Sequence, residues 1–144
     1  MKRKILVAYD GSDLSKEALE EAKLQAKGVP ETEVHIVSVV TQAGPTTNIG
    51  VALSIELQIA EQLEPEMGKI EEAFEKEDIT IYTQVVIDYY QRNAGRKICE
   101  YAEENEIDLI MVGSRGLGGV KKIFLGSVSN HIVQHAHCPI LIIK

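Results

Sequence analysis

Residues 112 to 130, VGSRGLGGVKKIFLGSVSN, combine glycines, hydroxyls and basic side chains in a pattern suited to binding an anion. Because glycine lacks a Cβ, a chain rich in it can turn successive N–H groups towards one centre and let an anion approach closely. Gly126 and Ser127 then begin a segment with helical spacing, and a helix N-terminus offers unpaired N–H groups. Ser129 adds a second hydroxyl. The pattern predicts a phosphate cradle, with a structural tight turn as the alternative.

Two common phosphate-binding fingerprints do not describe this stretch. Gly113 and Gly118 have the spacing that begins a P-loop, but Gly119 stands where that loop requires lysine. Gly116 and Gly118 begin a dinucleotide fingerprint, but Lys121 occupies the third glycine position. The predicted cradle therefore belongs to neither class.

Other groups with chemical potential lie elsewhere in the chain. Asp10 follows the first apolar run, where an acid either contacts a ligand or caps the next turn. His131 and His135 have a spacing that can bind metal, but Cys138 is the one cysteine or carboxylate near them that could be a third ligand, which favours a surface or helix-end role. Cys99 and Cys138 lack CxxC spacing and are typical of free thiols in a reducing compartment. We expect no protein-held metal.

Five short apolar runs alternate with four segments of helical spacing. The runs are KILVAY, EVHIVSVV, ITIYTQVVI, DLIMVG and PILIIK. The helical segments lie at about 13 to 27, 50 to 77, 93 to 105 and 127 to 136, and Pro65 is expected to kink or divide the second. Nearly continuous apolar runs are typical of strands that are covered on both faces.

This alternation predicts an α/β fold: a five-stranded parallel doubly wound sheet of order 3-2-1-4-5, flanked by about four helices and Rossmann-like. In that order the chain reverses direction between strands 1 and 4, and ligands bind beyond the carboxyl ends of strands at such a reversal. The loop after strand 1 is YDGSD, and the loop after strand 4 is the glycine-rich stretch. The two unusual loops are therefore expected to meet in one crevice.

Length and composition limit the classes of function. At 144 residues the chain is expected to form one domain, 1–144. The formal net charge of −7 disfavours a nucleic-acid or membrane partner. No apolar run is long enough to span a bilayer, and the first apolar run is too short for a signal-peptide core. We expect a cytoplasmic protein.

The spacing Gly113-x2-Gly116-x9-Gly126-Ser127 resembles the nucleotide-binding signature G-x2-G-x9-G-S/T of the universal stress protein family. The segment KILVAYDGSDLSKEALEEA is similar to the opening strand and helix of that family, and HCPILIIK is similar to its closing strand. The resemblance covers essentially the whole chain. It implies an ATP-binding protein that senses or buffers adenine nucleotide in stress response, acting through a homodimer and protein partners.

The resemblance also implies roles for individual residues. The aspartate that ends strand 1 and contacts the nucleotide corresponds to Asp10. The pocket that it implies has Ala8 and Val39 beside the adenine and ribose, Val112 and Gly113 at its floor, and Gly116, Gly126, Ser127, Val128 and Ser129 around the ribose and phosphates. Arg115, Lys121 and Lys122 either reach the phosphates or stay solvated. Mg²⁺ or Mn²⁺ is expected to bind through the phosphates. Pairing of the last strand, Pro139 to Ile143, is the dimer contact that the family implies.

Several alternatives remain open. The protein could be a slow ATP hydrolase or phosphotransferase, although Asp10 is the one acid placed near the predicted site. It could also be a dimeric interaction module with an empty pocket. A response-regulator-like fold ranks last, since only Asp88 follows strand 3 as a candidate phospho-acceptor. Asp88, Tyr89 and Tyr90 replace the Gly-x-Pro-like turn that the family often has there, and they either cap the pocket or pack beside it. The 41 to 50 loop is a mobile lid or, as we favour, a connector.

Overall fold

Strands and helices alternate along the chain in the computed structural model, which describes residues 2–41, 49–88, 93–115 and 125–144. The strands are β1 (Arg3–Ala8), β2 (Thr32–Thr41), β3 (Thr80–Asp88), β4 (Leu109–Gly113) and β5 (Ile140–Ile143). The helices are α1 (Asp13–Gly28), α2 (Ile49–Glu75), α3 (Ala94–Glu104) and α4 (Ser127–His135). All strand pairs are parallel and the order is β3-β2-β1-β4-β5, which confirms the predicted sheet.

The sheet is covered on both faces, which explains why its strands are continuous apolar runs. In β1, Ile5 and Val7 point to the face that α1 and α2 cover, while Leu6 points to the face that α3 and α4 cover. The first core also contains Ala18, Ala22, Met67 and Phe74 from its two helices, and the second contains Ile98, Ala102 and Ile132. Each strand therefore alternates between two separate cores.

The α1 helix begins at a side-chain cap, and the α2 helix contains a proline. Ser12 is the N-cap of α1, and its side chain accepts a hydrogen bond from the Ser15 N–H at 3.3 Å. The α2 helix runs through Pro65 without a break, so, of the two effects expected of Pro65, division of the helix is wrong, while a kink stays a prediction. Proline deprives the carbonyl four residues earlier, at Glu61, of its helical partner. Both residues are exposed, so water can hydrate that carbonyl.

The direction of the chain reverses between β1 and β4, which are neighbours with Val7 opposite Met111. The helix that follows β1 packs on one face, and the helix that follows β4 packs on the other. The loops that leave these strands therefore start from the same edge of the sheet and diverge. The strand order therefore places the Asp10 turn and the start of the glycine-rich loop at one edge of the sheet, where the crevice is expected.

A buried histidine lies on β2, between β1 and the edge strand β3. His35 on β2 is 6% exposed; its Nδ1 is 2.6 Å from the Tyr101 hydroxyl oxygen, and its Nε2 is 3.4 Å from Glu33 Oε1. The Tyr82 ring stacks beside it with centroids 4.9 Å apart. Burial lowers the pKa of His35, the Glu33 carboxylate opposes that shift, and the Lys4 charge adds to it. The folded protein therefore favours the neutral imidazole at neutral pH.

We expect this neutral histidine to make the protein less stable in mild acid. The unfolded chain, with the ordinary histidine pKa of about 6.5, takes up a proton before the folded chain does. The free energy of unfolding therefore falls as the pH drops below about 6.5, by at most about 1.4 kcal/mol per pH unit for this one proton. Urea unfolding at about pH 7.5 and about pH 5 measures the effect. His35→Gln, which cannot titrate, should lose less stability, and equal losses in the two proteins would contradict the assignment.

Candidate functional site

The carboxyl end of β1 turns sharply and presents an exposed acid. Tyr9 is buried, whereas Asp10 is exposed and its Oδ1 accepts a hydrogen bond from the Ser12 N–H at 2.9 Å. Gly11 completes the turn with φ of +84°, in the region that favours glycine. Ser12 then caps α1. Asp10 is thus both part of a local turn and a surface carboxylate at the crevice.

The end of β4 packs closely against the start of α1. A Cβ on Gly113 would lie 2.8 Å from the Leu14 Cβ, so only glycine allows the two segments to approach this closely. The next residue, Ser114, donates its N–H to the Ile143 carbonyl at 2.7 Å. Gly113 therefore has a packing role that is independent of any ligand, and it brings the β1 and β4 loops side by side.

The carbonyl of Ser114 fixes the start of α4. It accepts hydrogen bonds from the Gly126 N–H at 2.6 Å and from Ser129 Oγ at 2.9 Å. Ser129 is 1% exposed, and its hydroxyl also lies 3.2 Å from the Gly126 carbonyl. A Cβ on Gly126 would lie 3.3 Å from the Ser114 oxygen and 3.5 Å from the Arg115 Cα. The two ends of the glycine-rich stretch are therefore held together.

The N-terminus of α4 has no side-chain cap. Gly126 is its N-cap residue, and the first intrahelical bond runs from the Asn130 N–H to the Gly126 carbonyl at 2.9 Å. The N–H groups of residues 127–129 precede that bond, so the helix itself supplies them with no acceptor. The side chain of Ser127 is exposed beside them. Backbone donors, a helix dipole and a hydroxyl thus coincide at this end of α4.

Four of the apolar residues predicted for the pocket share one face of the sheet. Ala8, Val39 and Val128 pack around the core beneath α3 and α4, and Val112 is buried in it. The strand register explains the positions of Ala8, Val39 and Val112, because alternate residues of β1, β2 and β4 point to the same side, whereas Val128 comes from α4 on that side. Gly116, Lys121, Lys122, Tyr89 and Tyr90 lie outside the described residues, as does the loop at 42–48. Whether the described residues contact a ligand stays a prediction.

Asn93 is a residue at the site that the sequence did not single out. Its Oδ1 accepts from the Gly95 N–H at 2.7 Å, which caps α3, and its Nδ2 donates to the Ser127 carbonyl at 3.0 Å. A Cβ on Gly95 would meet the Val128 carbonyl oxygen at 2.8 Å. The starts of α3 and α4 are therefore joined. An Asn before a helix is a recognisable cap signal, but its second bond across the fold is not readable from sequence.

Asp88 has 0% exposure, opposite Thr41 at the end of the β2–β3 pairing. Of the two roles considered for the Asp88-Tyr89-Tyr90 segment, this burial favours packing beside the crevice for the first residue. A carboxyl group is rarely buried in this way without bonding partners.

The histidines and cysteines form no metal or thiol centre in the described part of the chain. Groups of three or more candidate ligands are absent there, although the His131 and His135 rings lie 4.2 Å apart on α4. Cys99 and Cys138 are free, and burial raises the pKa of both thiols. They therefore stay protonated at neutral pH. Among the described helices, none has the length and apolarity to cross a membrane.

Comparison with known proteins identifies relatives along the whole chain. The model of the universal stress protein family matches residues 1–144. The chain is 35% identical to the universal stress protein YxiE of Bacillus subtilis, over 100% of both chains. It is 34% identical to a universal stress protein of Methanocaldococcus jannaschii, over 99% of this chain and 82% of that protein.

Solved structures of similar fold include two with a bound nucleotide. A universal stress protein from Lactobacillus plantarum superimposes with a TM-score of 0.86 at 23% identity, covering 99% of this chain and 97% of that one. A universal stress protein in complex with cAMP has a TM-score of 0.67 at 21% identity over 99% and 97% of the two chains. An Arabidopsis thaliana family member with AMP bound has a TM-score of 0.58 at 20% identity over 99% and 91%. Because the family model matches residues 1–144 and two relatives are 34% and 35% identical over nearly the whole chain, the chain belongs to the universal stress protein family.

Proposed function

We propose that the protein binds an adenine nucleotide, ATP in particular, in the crevice between the carboxyl ends of β1 and β4. The uncapped N-terminus of α4 is the observation that carries this proposal. A phosphate group would give an acceptor to the N–H groups of residues 127–129, for which the helix itself has none, and its negative charge complements the helix dipole. The exposed Ser127 hydroxyl adds a donor at the same place.

The other predicted contacts fit a nucleotide that lies across the sheet edge from these phosphates. Asp10 presents an exposed carboxylate, which can accept hydrogen bonds from ribose hydroxyls or amino groups. Ala8, Val39 and Val112 supply apolar surface on the α3–α4 side of the sheet, which suits a planar base. The AMP and cAMP complexes of two structural neighbours support an adenine nucleotide as the ligand class.

Mg²⁺ or Mn²⁺ would accompany ATP through the phosphate oxygens rather than through a protein cage. These hard cations are commonly held by phosphates, water and one or two carboxylates. In the described residues no group of three candidate ligands exists that would bind a cation without nucleotide. The protein would take up the metal together with the nucleotide.

As the family resemblance implies, we propose that the protein senses or buffers adenine nucleotide in the cytoplasm during stress.

We expect Mg-ATP to raise the melting temperature of the wild-type protein. Nucleotide at a hundredfold above its dissociation constant adds about 2.7 kcal/mol of stability. In a domain of this size that corresponds to a rise of roughly 5–10 °C. Thermal unfolding with Mg-ATP, Mg-AMP and cAMP, together with analysis of nucleotide released by acid, makes the measurement. Absence of any rise and of any bound nucleotide would contradict the proposal and favour an interaction module with an empty pocket.

A charge-neutral variant tests the site itself. Asp10→Asn keeps an oxygen that can accept from the Ser12 N–H, so the turn should survive while the carboxylate is lost. The affinity for Mg-ATP should fall about tenfold or more, the usual effect of losing a hydrogen bond to a charged group.

Asp108→Asn is the matched control for this variant. Asp108 Oδ2 accepts from the Lys4 N–H at 2.9 Å, and the residue precedes β4 at the opposite edge of the sheet. The charge change and the type of bond are the same, but the affinity should not change. Equal effects of the two substitutions, measured by calorimetric titration, would place the nucleotide elsewhere. Glycine variants are less suitable because Gly113 and Gly126 have close backbone contacts of their own.

We propose that the protein forms a homodimer through the outer edge of β5. The carbonyls of Pro139 and Ile143 accept bonds from Ile110 and Ser114, so the alternation of a strand directs the backbone groups of Ile140 and Ile142 outwards. In the described chain β5 has β4 as its one neighbour. An apolar edge strand of this kind is a template for pairing with a second copy.

Removal of one outward backbone N–H group from β5 should dissociate this dimer. Ile142→Pro deletes an outward N–H without touching the β4 bonds, whereas Ile142→Ala loses similar packing but keeps the N–H. In light scattering after size exclusion, the proline variant should have the mass of a monomer and the alanine variant that of the wild-type dimer. A monomeric wild-type protein, or a dimeric proline variant, would contradict β5 pairing.

A further inference from the structure

Tyr9 is held at every polar group that it has, and it directly precedes Asp10. Its N–H donates to the Val37 carbonyl at 3.0 Å, and its carbonyl accepts from Ser38 Oγ at 2.7 Å. Tyr9 is 4% exposed and Ser38 is 2% exposed, so water does not compete for these bonds. The backbone from which Asp10 projects is therefore fixed to β2.

The side chain of Tyr9 joins this backbone to a helix on the far side of the core. Its ring packs in the core beneath α1 and α2, and its hydroxyl donates a hydrogen bond to Glu66 of α2. Burial raises the pKa of Tyr9, and the bond and charge of Glu66 raise it further. The phenol therefore keeps its proton and donates at every physiological pH. A single residue thus connects the Asp10 turn with α2.

A second bond of the same chemistry provides a comparison within the molecule. Thr83 of β3 donates its hydroxyl proton to Glu71, five residues after Glu66 on α2. Both bonds fix α2 to the sheet through a carboxylate on the helix. Thr83 lies within β3, the edge strand that is two strands away from β1. Tyr9 directly precedes Asp10, whereas Thr83 belongs to a strand that is not adjacent to β1.

From these contacts we infer that Tyr9 is a positioning residue for Asp10, and that the Tyr9–Glu66 bond couples the nucleotide site to α2. The inference rests on the proposed function, in which Asp10 contacts the nucleotide. A displacement of α2 moves Glu66, which accepts the hydrogen bond of the Tyr9 hydroxyl. The position of Tyr9, and with it that of Asp10, is then less restrained. Because coupling between sites is reciprocal, nucleotide that fixes Asp10 must restrain α2 in return. Nucleotide binding at Asp10 then changes the mobility of α2, a helix with exposed residues at the protein surface.

Affinity measurements on two matched variants test the positioning role. Tyr9→Phe keeps the buried ring and removes only the hydroxyl, and Thr83→Val removes the hydroxyl of the other link. Both variants should melt at lower temperature than the wild type. Only Tyr9→Phe should weaken Mg-ATP binding, by about fivefold or more, the lower range of typical coupling. If Tyr9→Phe does not fold, Glu66→Ala and its control Glu71→Ala remove the same two bonds from the helix side.

Amide hydrogen exchange tests the coupling separately from stability. In the wild-type protein, saturating Mg-ATP should slow exchange of the α2 amides around Glu66. At saturating nucleotide this protection should disappear in Tyr9→Phe and persist in Thr83→Val. A change that merely loosened α2 would affect both variants, whereas loss of the specific link affects one.

The outcomes separate this inference from the proposed function. If the wild-type protein binds no nucleotide, both the proposed function and the Tyr9 coupling are contradicted. A wild-type protein that binds Mg-ATP, with a Tyr9→Phe variant of equal affinity and equal α2 protection, overturns the coupling and leaves nucleotide binding intact. Equal weakening by Tyr9→Phe and Thr83→Val also overturns it, because the effect is then general loosening of α2.

Discussion

The pairing of β1 with β4 is the constraint on which the rest of the structure depends. It places two strands that are far apart in sequence, with Val7 opposite Met111, at the centre of the sheet. Since the following helices pack on opposite faces, each central strand must be apolar on both sides. The same pairing brings the Asp10 turn and the start of the β4 loop to one edge of the sheet. Core burial and the placement of the candidate site are therefore two results of one arrangement.

Close contacts at this crevice give several signature positions a structural role before any ligand is considered. Gly113 permits contact with Leu14, and the Ser114 carbonyl collects bonds from Gly126 and Ser129. These contacts order the ends of the glycine-rich stretch and leave the first N–H groups of α4 without a helical acceptor. Binding groups that are already fixed lose less conformational entropy when a ligand arrives. The packing glycines and the start of α4 that is proposed to bind the nucleotide phosphates thus belong to one local arrangement.

The elements were predictable from the sequence because their signals are local. Two-sided burial makes each strand a continuous apolar run, so all five strands and their order are confirmed with small shifts at their ends. Ser12 and the Gly28 to Pro30 segment likewise mark the ends of α1. The break expected at Pro65 is absent from α2 because the cost of a proline depends on exposure, which no local pattern encodes. The turn at Asp10 is also a local pattern, and the structure contains it.

Links between distant elements were not predictable, because no local pattern encodes them. Tyr9 and Glu66 are 57 residues apart, and each has an ordinary role by itself: an apolar-run aromatic and a helix-surface acid. Their meeting depends on how α2 lies across the sheet, which follows from the packing of Met67 and Phe74 rather than from either partner. The bond from Asn93 to the Ser127 carbonyl has the same origin. In this fold the Asp10 turn and the start of α4 are encoded locally, whereas the bonds that join them to distant elements arise only when the helices pack.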